Sequence, residues 1–156
     1  MRVYRIAKER YIHDLSGEGA RTYGGRWNKK GTSVLYTAEN RSLATVEYLV
    51  HLPIALIPTD TYIAELTIPD EIRYKQIEIE VLPQHWAAYP APLVLAEIGE
   101  DWIEKNETLM LRVPSSVVKG EWNILINPKH RSFSEIRLTG AEPYNFNERL
   151  LRTHHG

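Results

Sequence analysis

Ser33-Val34-Leu35-Tyr36-Thr37-Ala38-Glu39-Asn40-Arg41-Ser42-Leu43-Ala44-Thr45-Val46-Glu47-Tyr48-Leu49-Val50-His51 changes its periodicity once, and that change decides the fold. Ser33 to Thr37 is rich in β-formers and follows the Lys30-Gly31 turn, so it reads as a strand. Asn40 or Ser42 then caps a helix that runs to about His51 and is stopped by Pro53. Within the helix Leu43, Val46, Glu47 and Val50 fall at i, i+3, i+4 and i+7, which places the Glu47 carboxylate in the stripe expected to face the core. A carboxylate withdrawn from water needs an arginine, a hydrogen-bond network or a raised pKa. Two readings stand side by side: a structural salt bridge at the helix edge, or a catalytic carboxylate held in a partly dry cleft.

Working outward, Val3 to Ile6 reads as a first strand, and Ser16 to Gly25 as one long glycine-rich loop of the kind that carries function. Downstream, Thr61 to Ile68 alternates Tyr62, Ala64, Leu66 and Ile68 with Ile63, Glu65 and Thr67, the pattern of a half-buried strand ended by Pro69. Tyr74 to Leu82 alternates less cleanly as a further strand. Leu93 to Asn106 reads as a helix with Leu93, Ala96, Ile98 and Trp102 buried, weakened by Gly99. Thr108 to Val113, Trp122 to Ile126 and Phe133 to Leu138 read as short strands between turn signals. Strands joined mostly by turns imply an α+β fold, a compact mixed sheet with a few helices, over a doubly wound parallel sheet.

The 156 residues, 43% of them apolar, suit one compact domain over residues 1–156. With 19 basic against 20 acidic side chains the net charge of −1 gives no global pull toward nucleic acid, so no direct nucleic-acid partner is expected. There is no cysteine, which removes disulfide scaffolds, thiolate nucleophiles and cysteine-bound zinc. The N-terminus lacks a signal-peptide core, and the most apolar stretch, Val46 to Pro58, is too short and interrupted to span a bilayer. A soluble protein of the cytoplasm, without membrane partners, is expected.

Beyond Glu47, Arg26 stands in Gly24-Gly25-Arg26-Trp27-Asn28, where glycines let backbone approach a ligand and the guanidinium offers a fork for phosphate or carboxylate. The same pattern also describes an ordinary exposed turn. The glycines from Gly17 to Gly24 are out of register for a dinucleotide fingerprint. Tyr36 lies in the strand before the Glu47 helix, on the face opposite Leu35. Ser115 and Ser116 follow Pro114, where a serine caps a turn or points into a site, but neither sits in a Gly-x-Ser-x-Gly elbow. The six histidines show no His-x-x-x-His spacing, so no metal is expected. His154-His155 read as a mobile terminus, and His130 as a loop residue that caps a turn or lines a pocket.

Taken in order, Val3-Tyr4-Arg5, Gly17 to Arg21, Gly24 to Asn28, Leu35 to Ala38, Leu43 to Glu47 with His51, Leu111 to Ser115 and Asn123 to His130 resemble the RES-domain family, toxins of the RES-Xre class of bacterial toxin-antitoxin modules. The one departure is Val118-Lys119-Gly120-Glu121, where the family often has Val-Pro. The resemblance implies a fold similar to ADP-ribosyltransferases. It also implies NAD+ as a substrate, no other cofactor, and a cognate Xre-type antitoxin as partner. The arginine, glutamate and serine that name the family fall on Arg26, Glu47 and Ser115, with Tyr36 as a further site residue. Ser115 is chosen over Ser116 because it directly follows Pro114. In these roles Glu47 would stabilise charge on the ribose, Arg26 would hold the diphosphate or pair with Glu47, Tyr36 would stack on the ligand, and Ser115 would hydrogen-bond it. The acceptor stays open among water, phosphate and a protein side chain. A non-enzymatic inhibitory module is the reading from another class.

Overall fold

The computed structural model describes residues 1–53 and 58–151. Seven strands, β1 (Arg2–Lys8), β2 (Leu35–Ala38), β3 (Thr61–Thr67), β4 (Tyr74–Gln76), β5 (Met110–Pro114), β6 (Trp122–Ile126) and β7 (Arg137–Pro143), form one sheet in the order β4-β5-β6-β2-β1-β3-β7. Among the described strands, only the β4–β5 pair is parallel. Three helices, α1 (Glu18–Tyr23), α2 (Arg41–Val50) and α3 (Leu93–Lys105), complete the mixed α+β architecture read from the sequence.

The sheet is joined weakly at its middle. β1 and β3 pair along all of β1, from Arg2 opposite Thr67 to Lys8 opposite Thr61, whereas β1 meets β2 at the single register pair Tyr4 and Ala38. The two halves therefore splay apart past Tyr4, and a cleft opens between them.

Alternation divides the core into two faces. Ile124 and Ile126 of β6 pack with Val3, Leu35, Leu66 and Met110 on one side. Leu125 packs with Leu111, Val113, Trp27 and the α3 residues Leu95 and Trp102 on the other. α2 covers the same second face further along, setting Leu43 and Ala44 against Ala38, with Tyr4 and Ile6 alongside. Its outer side is tied down by the segment after β7: Thr45 Oγ1 and the Tyr144 hydroxyl lie 2.7 Å apart, and the Tyr48 and Phe146 rings stack at 5.7 Å.

Several local expectations need correction. The Ser16–Gly25 segment is not all loop, because α1 occupies its centre. Gly17 (φ +74°) and Gly24 (φ +73°) stand at the helix ends, where positive φ favours glycine, and Arg21 pairs with Glu18 at 3.2 Å. β2 begins two residues later than expected. The α2 cap is Asn40, whose side chain accepts the Leu43 amide at 2.7 Å, and not Ser42. Val50, expected in the core stripe, is 56% exposed, because α2 buries Leu43, Ala44 and Thr45 instead. In α3 the buried line is Leu95, Ala96, Gly99 and Trp102, while Leu93 is 66% exposed and Ile98 only half-buried. The Tyr74–Leu82 stretch is strand only to Gln76 and then forms a 3-10 turn at Ile79–Val81. Residues Arg131–Glu135 are likewise a 3-10 turn, capped by His130 Nδ1 accepting the Ser132 amide at 3.1 Å, so the last strand starts at Arg137 and not at Phe133. His154 and His155 lie outside the described residues, and among those described no helix is long and apolar enough to cross a membrane.

Gly99 turns from a weakness in the helix into its docking point. A Cβ there would lie 1.6 Å from the Trp27 carbonyl oxygen, so α3 and the Trp27 loop touch backbone to backbone. Gly99→Ala is expected to destabilise the fold by about 1–3 kcal/mol through overpacking, measured by urea denaturation. A change below about 0.5 kcal/mol would show that the close approach is not needed.

Candidate active site

Glu47 projects from the last turns of α2 toward the splayed β1–β2 junction, half-buried. Its carboxylate is held by residues from β6 and from just past the end of β5. Ser115 Oγ, just past β5, lies 2.7 Å from Glu47 Oε1, and Asn123 Nδ2 of β6 lies 2.8 Å from the same oxygen. The Ser115 hydroxyl also accepts the Val117 and Val118 amides at 3.1 and 3.0 Å. Those amides use its lone pairs, so its single proton must go to Glu47. Among the described residues nothing donates to Oε2, which leaves that oxygen free for chemistry.

This arrangement sorts the two serines. Ser115 is 4% exposed and lies behind the carboxylate, whereas Ser116 lines the cavity. The Ser115 proton goes to Glu47 and its lone pairs to the Val117 and Val118 amides, an arrangement suited to orienting the carboxylate. Asn123 is a site residue that the sequence reading did not single out, although it opens the Asn123–His130 motif. The available signal was a polar amide at the start of an otherwise apolar strand.

Tyr36 and Arg26 are assembled by a second network. Asn28, 2% exposed, donates Nδ2 to the Ala20, Lys29 and Thr32 carbonyls at 2.9–3.1 Å. Its Oδ1 accepts the Tyr36 hydroxyl at 2.7 Å, and that hydroxyl accepts the Trp27 amide at 3.1 Å. Burial pushes the Tyr36 hydroxyl well above the ordinary phenol range, so Tyr36 is a neutral donor throughout the physiological range. Gly25 fits beneath it because a Cβ there would stand 2.8 Å from both the Tyr36 hydroxyl oxygen and Asn28 Oδ1. The Tyr36 ring still lines the cavity.

The same loop carries Arg26, whose guanidinium donates to the Trp86 carbonyl at 2.9 Å and the Ala88 carbonyl at 3.1 Å. The Arg26–Glu47 ion pair offered as one possibility is not among the ion pairs of the described residues, and each group has other partners. The two charges nonetheless sense each other: burial lowers the Arg26 pKa, and the Glu47 charge opposes that shift. Arg5, on β1, also lines the cavity and donates to the Tyr11 and Ile12 carbonyls at 3.1 and 3.0 Å. It stood in the Val3-Tyr4-Arg5 motif but was not singled out.

Together these groups border a cavity of about 890 Å³ whose wall includes Glu47, Arg26, Arg5, Tyr36, Asn123 and His51. The volume suits a cofactor-sized ligand. Two fixed guanidinium groups and one carboxylate suit a ligand carrying both phosphate and positive charge.

Comparison with known proteins identifies relatives of the whole chain. Toxin Res of Yersinia enterocolitica is 37% identical over 147 residues, covering 94% of this chain and 95% of that protein. The Prs ADP-ribosylating toxin of a Sphingobium species is 36% identical over 155 residues, covering 96% of each. The crystal structure of the M. tuberculosis MbcT-MbcA toxin-antitoxin complex contains a chain of the same fold, with a TM-score of 0.73 at 15% identity, covering 96% of this chain and 86% of that one. The RES domain family model matches residues 2–147. With that match over nearly the whole chain, and relatives above 35% identity along at least 95% of their lengths, this chain belongs to the RES domain family.

Proposed function

We propose that this chain is the toxin of a bacterial toxin-antitoxin module and consumes NAD+ by cleaving the bond between nicotinamide and ribose. The observation that carries the reading is the Glu47 carboxylate, fastened through Oε1 by Ser115 and Asn123 with Oε2 free, at a cavity that also presents Arg26. The relatives named Toxin Res and Prs ADP-ribosylating toxin support it, as does the likeness to a chain solved in a toxin-antitoxin complex. A cognate antitoxin, of the Xre type by family resemblance, is the expected partner, and the cytoplasm, where NAD+ is found, the expected location.

The chemistry follows from the leaving group. Cleavage breaks the C1′–N1 bond, whose electron pair passes to the pyridinium nitrogen, so nicotinamide leaves neutral and needs no strong acid. Positive charge develops on the ribose ring instead, and a fixed carboxylate beside it stabilises that charge. Glu47 Oε2 would face C1′ or a ribose hydroxyl, then take the proton of the acceptor as the new C1′–O bond forms. Glu47 is thus the catalytic residue, and Ser115 and Asn123 are positioning residues. Arg26 would hold the diphosphate with the donors its two carbonyl bonds leave unused. The Tyr36 ring would pack against nicotinamide or ribose while its hydroxyl holds the Arg26 loop.

A second reading, ADP-ribosyl transfer to a protein side chain, is favoured by the name of the Sphingobium relative. It shares every step up to nicotinamide release. Mass spectrometry after incubation with NAD+, with and without phosphate, separates the outcomes: ADP-ribose, its 1″-phosphate, or a mass-shifted protein. No release of nicotinamide would overturn both readings in favour of a binding module.

Glu47→Gln is expected to lower kcat for nicotinamide release by about a thousandfold or more while leaving the circular-dichroism spectrum unchanged. A variant of full activity would remove Glu47 from the mechanism. Ser115→Ala and Asn123→Ala are each expected to lower kcat by about ten- to a hundredfold with KM changed less than threefold, since they orient the carboxylate without holding substrate. A rise in KM at constant kcat would assign them to binding instead.

A further inference from the structure

Two large aromatic rings stand at the cavity wall almost fully in water. Tyr23 is 80% exposed and Tyr89 is 87% exposed, yet both line the cavity that holds Glu47. Other cavity tyrosines have internal partners: the Tyr36 hydroxyl bonds Asn28, and the Tyr48 ring stacks on Phe146. Among the described residues Tyr23 and Tyr89 have neither a side-chain hydrogen bond nor a ring partner. A stiff side chain with two rotatable bonds, presented bare beside a ligand cavity, offers a stacking face at small entropic cost.

Their placement is set by Arg26. Tyr23 ends α1 and is followed by Gly24-Gly25-Arg26, while Tyr89 directly follows Ala88, whose carbonyl the Arg26 guanidinium holds at 3.1 Å. The Trp86 carbonyl is held by the same group at 2.9 Å. One guanidinium therefore fastens the two ring-bearing segments to each other. Glu47, Arg26 and the two segments that Arg26 joins all border one cavity, and Arg26 is near enough to Glu47 to feel its charge. A dinucleotide offers a group for each: reacting glycosidic carbon, diphosphate, adenine.

We propose that Tyr23 and Tyr89 form an adenine subsite, stacking on the purine of the dinucleotide whose diphosphate Arg26 receives. The assignment rests on the NAD+ reading of the cavity and adds the source of its affinity for the non-reacting half of the substrate. Stacking needs only the ring faces, so the hydroxyl groups are dispensable and phenylalanine serves as well as tyrosine. Binding of the remote adenine would also fix the diphosphate and so aim the ribose at Glu47.

Titration calorimetry with ADP-ribose tests this without turnover. The Tyr23→Ala and Tyr89→Ala variants are each expected to bind ADP-ribose about tenfold more weakly than the parent, and the double Tyr→Phe variant within about twofold of it. Ribose 5-phosphate, which lacks adenine, should distinguish neither variant from the parent. Unchanged ADP-ribose affinity in the double alanine variant, or no ADP-ribose binding by the parent, overturns the subsite. A Tyr→Phe variant as weak as the alanine variant overturns the stacking assignment. If the parent binds ADP-ribose in a ring-dependent way but releases no nicotinamide from NAD+, the cleavage reading fails and the subsite stands. If nicotinamide is released and ring removal leaves ADP-ribose binding intact, only the subsite fails.

Discussion

A carboxylate partly withdrawn from water has to be given donors, and here both come from outside its own helix. Ser115 at the end of β5 and Asn123 on β6 converge on one oxygen of Glu47, so α2, which packs over β1 and β2, is also bonded to β6 and the end of β5 through its acidic side chain. That constraint bridges the place where the sheet is thinnest, the single Tyr4–Ala38 pair between β1 and β2. A hydrophobic contact there would close the cleft. A hydrogen-bonded carboxylate holds α2 in place and keeps the cleft polar. The tie is specific because Ser115 has no freedom left: two amides use its lone pairs, and the proton has one destination.

The other wall is organised by a neutral network. Asn28 gathers three carbonyls and the Tyr36 hydroxyl, so the Gly24–Asn28 loop is fixed from beneath by β2 and from the side by α3, through the close approach of Gly99 to Trp27. Arg26 then links this loop to the Trp86–Ala88 segment. Arg26 and Glu47 are thereby each held by partners of their own, carbonyls for the guanidinium and Ser115 with Asn123 for the carboxylate. With a net charge of only −1, any capture of an anionic dinucleotide would rely on a few fixed groups, not on the field of the whole protein.

Much of this was legible in the chain. Glu47 drew attention as a carboxylate in the helical phase of Leu43 and Val50, although α2 in fact buries Leu43, Ala44 and Thr45 and leaves Glu47 half-buried. The strand before it and the α+β character followed from periodicity. What periodicity could not show was partnership. Asn123 and Ser115 are 68 or more positions from Glu47, and only the fold reveals that they share one oxygen. Glycine misled twice for one reason, that its composition is visible and its location within an element is not. Gly17 and Gly24 bound a short helix that was read as loop, and Gly99, read as a weak point in α3, is where the helix docks. Phe133 looked like the start of a strand that continues through Ile136 and Leu138, but the His130 cap commits the segment to a turn. Val50 fell in the expected stripe but lies where α2 runs out over the cleft, beyond the sheet it covers.

The central claim is that the Glu47 carboxylate, aimed by Ser115 and Asn123, faces the glycosidic carbon of NAD+. A crystal structure of Glu47→Gln grown with NAD+ tests it most directly. The account predicts the nicotinamide ribose C1′ within about 4 Å of the residue 47 side chain, with the diphosphate against Arg26. A dinucleotide bound with its ribose remote from residue 47, or outside this cleft, would contradict it.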